Sequence, residues 1–160
     1  MNIARIKTLT IAAVTGLMLA GCASLGGGGP AGVTVLTSGN HSNIKDQTYK
    51  DIHTQADFDK FWDQAFGGMG MAPDKPTVDF SKDMVIASFI GEQTHGGFVI
   101  RITKVENTGS EIDVTVTVTI PGANCRYPRN STEQFQFATL PASTEPVNFN
   151  LAQQNAPACG

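Results

Sequence analysis

The sequence predicts a small α+β, mainly β domain: an antiparallel sheet of about six or seven strands with one amphipathic helix packed on it. Three observations lead there. Residues 112–120, IDVTVTVTI, alternate without a fault, Val114, Val116, Val118 and Ile120 facing one way and the threonines the other. A nearly continuous apolar run, DMVIASFI at 83–90, fits a central strand covered on both faces. Between Thr54 and Phe66 the apolar residues Phe58, Phe61, Trp62, Ala65 and Phe66 fall at helical spacing on one stripe.

Taken in order, the domain starts with a short strand at Val33–Leu36 that turns at Ser38-Gly39-Asn40. QTYKDIH, 47–53, alternates enough for an exposed second strand. Thr54 is placed to cap the helix, with Asp57 three residues on, and both Asp57 and Asp59 suit the dipole at its start. Gly67, Gly68 and Gly70 stop it; Pro73 and Pro76 keep the following chain extended. After Pro76 the chain reads as antiparallel sheet throughout: 83–90, then GFVIRITKV at 97–105, then 112–120, 133–140 and 147–152. The helix stripe is the face that packs on this sheet; a ligand platform is the alternative use of such aromatics.

The first 21 residues read as a secretory leader, with Arg5 and Lys7 ahead of an apolar run from Leu9 to Ala20 that is short for a membrane span. Leu19-Ala20-Gly21-Cys22 resembles the bacterial lipobox, in which the cysteine is diacylated and becomes the mature N-terminus; an ordinary leader with an incidental cysteine is the competing reading. At about 0.8 kcal/mol per buried CH₂, two palmitate-class chains hold a protein to a bilayer where one does so marginally. Ala23, and not Asp, follows Cys22, so this resemblance implies an outer-membrane address in the cell envelope, on its periplasmic or surface face. The acylated cysteine and a Gly-rich linker span 22–32, and a single globular domain follows over 33–160.

Loss of the leader removes Arg5 and Lys7 from the 11 basic residues, leaving nine against 14 acidic and a formal charge of about −5 in place of −3. A mildly acidic domain with scattered charges is a poor ligand for nucleic acid. Beyond Cys22 the only cysteines are Cys125 and Cys159; in an oxidising compartment they read as one disulfide. The alternative, a reactive pair, lacks C-x-x-C spacing and any basic neighbour beyond Arg126.

The stretch GEQTHGGFVI, 91–100, poses the functional question. Thr94 and His95 invite a catalytic reading and Gly96-Gly97 a phosphate-cradling one, but a phosphate loop feeds a helix and this one feeds a strand. Its expected role is therefore a β-hairpin turn, the two glycines supplying positive φ and His95 solvated at the tip. His41, His53 and His95 form no metal-spaced motif, there is no G-x-S-x-G elbow, and no cofactor, metal or catalytic residue is expected; an enzyme or metal carrier, the third functional class, would need these three histidines to converge. Asn130-Ser131-Thr132 matches a glycosylation acceptor, incidental behind a bacterial lipobox.

Residues 76–106 resemble the PrcB family of lipoproteins, described as protease complex subunits. The likeness rests on Val78-Asp79-Phe80-Ser81-Lys82-Asp83-Met84-Val85, on the strand ending at Ile90-Gly91, and on the turn Thr94-His95-Gly96-Gly97-Phe98, with the FDKFW helix upstream and Pro121–Cys125 downstream in the family's order. His95 splits the family's Thr-Gly-Gly, and the segment Ser143–Val147 departs from the family's closing motif. The resemblance implies a non-enzymatic, lipid-anchored module that binds a protein partner, a protease or an envelope protein. The contact surface expected is the loop Thr94, His95, Gly96, Gly97 and Phe98 together with Met69 and Met71, whose side chains either offer adaptable apolar contacts or fold back over the core. A stoichiometric protease inhibitor that inserts its Gly-rich loops, THGGF and GGMG, is the second functional class.

Overall fold

The computed structural model describes residues 30–160; the expectations placed on the leader, on Cys22 and on most of the linker lie outside them. The elements follow in the order β1 (Thr34–Gly39), β2 (Thr48–Ile52), α1 (Gln55–Phe66), β3 (Asp83–Phe89), β4 (Val99–Asn107), β5 (Ile112–Ile120), β6 (Phe135–Pro141) and β7 (Val147–Asn155). The α+β, mainly β class holds, with the strands divided between two sheets. One is four-stranded, β1-β6-β3-β2, and the other three-stranded, β4-β5-β7.

The domain has three layers: helix, four-stranded sheet, three-stranded sheet. Period-2 alternation in β3 and β6 explains why the middle layer is buried on both sides. Val85, Ala87, Phe89, Phe135 and Phe137 face α1, where they meet the predicted stripe Phe58, Phe61, Trp62, Ala65 and Phe66. Met84, Ile86, Ala138 and Leu140 face the second sheet and pack on Ile100, Ile102, Ile112, Val114, Val116 and Val118. Phe137 lies at the centre of the helix-side core, 5.2 Å from the Trp62 ring and 5.5 Å from Phe89, edge-on to the latter. The helix is capped as its sequence indicates: the Asp57 N–H donates to Thr54 Oγ1 at 3.1 Å, and the Gly67 N–H donates to the Asp63 carbonyl at 2.7 Å.

Two expectations are corrected. EQTHGG does not close a hairpin, because both sides of β3 are already occupied, by β2 and β6. The loop instead carries the chain across to the second sheet. Nor is all of the sheet antiparallel: β5 and β7 pair in parallel from Ile112↔Val147 to Ile120↔Asn155. The chain leaves β5, returns along the first sheet as β6, and re-enters the second sheet beside β5 in the original direction; two reversals restore the strand sense.

The two sheets are also joined by a polar link. A bulge in β4 between Ile102 and Lys104 interrupts its ladder with β5. Beside it the Ile102 N–H donates to Gln136 Oε1, from β6 in the other sheet, at 2.7 Å. Gln136 is buried, so this bond satisfies polar groups that water does not reach.

These registers give the domain two distinct poles. β1, at Thr34, enters at the pole where β3 begins and β6 ends, since Thr34 pairs with Thr139 and Asp83 with Pro141. The loops 40–47, 90–98 and 121–134 and the tail after Asn155 all gather at the opposite pole.

Candidate functional site

The loop pole is assembled by bonds between segments far apart in sequence. Gly91 adopts φ +83° where the chain passes Lys45; a Cβ there would fall 2.7 Å from the Lys45 carbonyl, and the Glu92 N–H donates to that carbonyl at 2.8 Å. Gln93 and Thr132 exchange two backbone bonds at 2.8 and 3.0 Å, and the Gly96 N–H donates to the Pro128 carbonyl at 3.0 Å. Only Gly97 of the glycine pair has positive φ, at +96°. It is also where the Tyr127 ring lies on the loop: a Cβ would sit 2.3 Å from Tyr127 Cδ1. The Tyr127 hydroxyl accepts from the Gly122 N–H at 3.1 Å, so both ends of this side chain are fixed.

His95 is not a solvated tip. It is half-buried, with its ring 5.3 Å from Phe98 and 6.3 Å, nearly parallel, from Tyr127. Its Nδ1 lies 2.8 Å from the Gly96 carbonyl, and a carbonyl only accepts, so Nδ1 carries the proton. Thr94 beside it is exposed. The chain's end is tied to the 120–125 stretch at the same pole. The Ala156 N–H donates to the Ile120 carbonyl at 2.9 Å and the Cys159 N–H to the Ala123 carbonyl at 3.0 Å. Cys125 and Cys159 are disulfide-bonded with Cα atoms 4.9 Å apart. Between the 90–98 loop and the 121–132 segment lies an open cleft lined by His95, Cys125, Arg126, Tyr127 and Arg129.

Loop 40–47 buttresses the same pole. Glu133 is buried and receives the Lys45 ammonium, with His41 Nδ1 3.6 Å from its other oxygen. That hydrogen bond to Glu133, ahead of the Glu133 and Glu92 charges, raises the Lys45 pKa above its usual value. Asn43 reaches the end of α1, its N–H donating to the Ala65 carbonyl at 2.8 Å and its amide to that of Gly67 at 3.0 Å.

The structure therefore separates the residues expected to act together. Met69 folds back, half-buried against the helix-side core, while Met71 is 92 % exposed. Loop 40–47 stands between them and the Thr94–Phe98 segment, bonding α1 on one side and Glu92 on the other. The three histidines do not converge either: His41 lies beside Glu133, His95 in the aromatic stack, and His53 next to Asp51 at 3.0 Å on the far pole. Among the described residues no group of His, Cys, Asp and Glu is arranged to hold a metal ion, and no helix is long and apolar enough to cross a membrane. Sequence reading missed Tyr127 and Arg129. The one available signal was the Gly96-Gly97 pair ahead of a strand, which marks a close approach by some other group without saying which.

Comparison with known proteins places this geometry in context. Residues 84–132 match the family model described as PrcB C-terminal. No curated protein and no solved structure matches the chain. The matched window runs from β3 through β5 to Thr132, so it contains both the 90–98 crossing loop and the 121–132 segment that braces it.

Proposed function

Proceeding from a PrcB-like assignment of the domain, which the match over residues 84–132 supports, we propose that this protein is a lipid-anchored lipoprotein of the cell envelope. Its domain docks a protein partner, a protease or another member of a protease assembly, and catalyses no reaction itself. One observation carries the docking reading: the two loops of the matched window form a single cross-braced surface, held by the Gly96–Pro128 and Gln93–Thr132 bonds and closed by the 125–159 disulfide. Rigid presentation of this kind is what recognition needs, because a surface already in its bound shape loses less entropy on association. Thr94, Arg126 and Arg129 are among its exposed residues. Membrane attachment rests on the lipobox-like Leu19–Cys22.

The test is crosslinking capture from native envelopes, comparing the wild-type protein with Cys22→Ser and with Thr94→Glu, a change at an exposed position. Wild type should capture one dominant protease-related partner. Cys22→Ser should move the protein to the soluble fraction, and Thr94→Glu should reduce capture. Capture indifferent to Thr94→Glu, or no partner above control, rejects the reading. The inhibitor alternative makes a separate prediction, loss of protease activity at a one-to-one ratio, whereas an assembly subunit leaves activity unchanged or raises it.

A further inference from the structure

We propose that the cleft between the 90–98 loop and the 121–132 segment binds a carboxylate-rich peptide segment of the partner, with Arg126 and Arg129 as the recognising groups. This rests on the docking reading and names the chemistry of what docks.

Charge distribution is the first ground. Lys45, Lys75, Lys82 and Lys104 are each committed to an ion pair within the domain, and Lys50 and Lys60, unpaired among the described residues, share a separate depression with Asp51 and Asp57. Among the described residues the arginines, 101, 126 and 129, make no such pair, and two of them line one cleft. No carboxylate lines it with them, and Glu92 and Glu133 nearby are engaged by Lys45. On a domain carrying an excess of acid, an acid-free cleft with two free guanidiniums is a local attractor for carboxylates.

Fixed geometry is the second. Arg126 and Arg129 project from a segment held at Cys125 by the disulfide, at the Tyr127 side chain by the Gly122 N–H donating to its hydroxyl, and at the Pro128 carbonyl by the Gly96 N–H. A guanidinium fork matches a carboxylate in two parallel hydrogen bonds, and a secured stem reduces the entropy lost in making them. The stacked His95 and Tyr127 rings supply a flat wall for the rest of a peptide. A bilayer is a poorer occupant, since the cleft is concave and lies at the pole opposite to Thr34, where the chain from Cys22 enters.

The experiment measures binding of a short labelled peptide alternating glutamate and alanine to the full domain by fluorescence anisotropy. Its lysine–alanine counterpart, inorganic phosphate as competitor, and phosphatidylglycerol-containing vesicles are run alongside. The glutamate peptide should bind and the lysine peptide should not. Arg126→Ala and Arg129→Ala should each weaken binding about fivefold, with the effect shrinking as salt rises, and Arg101→Ala should leave it unchanged. An Arg126→Ala/Arg129→Ala double variant that binds like wild type overturns the proposal. So does displacement by phosphate at the peptide's own concentration, which would make the site one for free anions, or a preference for vesicles. Envelope capture unaffected by the double variant rejects this cleft while leaving partner docking intact. Peptide binding without any captured partner rejects the docking reading and keeps the cleft.

Discussion

Gly97 is under two separate constraints, and each bars a side chain. Its φ of +96° disfavours any L-residue, and the Tyr127 ring occupies the space a Cβ would take. Gly97→Ala should therefore lower stability by about 1–3 kcal/mol in urea unfolding and displace Tyr127 from the cleft wall. Gly70→Ala, with open space around it and no positive φ, should stay within about 0.5 kcal/mol of wild type. Asp79 has a different local role. Its carboxylate accepts from the Ser81 hydroxyl, from Lys82 and from the Ser81 N–H, in that order of effect, and these hold its pKa down from 3.8 to about 2. The folded state thus takes up this proton less readily than the unfolded chain does. The contribution is fully present above about pH 4 and is lost as pH falls through about 2. Asp79→Asn should be less stable than wild type at neutral pH, with the gap closing by pH 2, in unfolding curves taken across that range. Because the group is exposed, the effect should be small and should fade with salt.

Among the elements, β6 ties the layers together: its Phe135 and Phe137 pack on α1, and its Ala138 and Leu140 face the second sheet. Gln136→Leu keeps much of the bulk but strands the buried Ile102 N–H, and should cost about 1–3 kcal/mol. Hydrogen exchange at the Ile102 amide should rise more than at Val116 on the neighbouring strand. The elements themselves were legible in the residues, the helix from the 58/61/62/65/66 stripe and β5 from its valine–threonine alternation, because burial of one face imposes a period that local sequence displays. The double burial of β3 was legible for the same reason. Strand partners were not. Alternation shows which side chains share a face but carries no mark of the strand alongside, and a loop as short as 90–98 serves a hairpin or a sheet crossing equally well. The parallel β5–β7 pair lies beyond local reading, since β6 intervenes. Tyr127 was hidden because a lone aromatic among Arg, Asn and Pro has no period to betray its contacts.

At the scale of the molecule, the disulfide closes the C-terminal end onto the loop pole. Replacing Cys125 and Cys159 by serine should lower stability by about 2–4 kcal/mol, measured by urea unfolding against the oxidised wild type. The Ala156 and Cys159 amides should then exchange first, since their bonds to Ile120 and Ala123 lose their covalent brace. The same double variant should bind the acidic peptide more weakly, because Cys125 secures the start of the arginine segment. The opposition of the two poles has a mechanical meaning as well. A protein held through residues preceding Thr34 and gripped by a partner at the loop pole is pulled along its strands. The bonds between β1 and β6 run across that direction and share the load in shear, rather than opening one after another as a zipper does. Tension between an envelope anchor and a bound partner would then be borne by the sheet as a whole, and the domain could act as a stiff strut that transmits force without yielding.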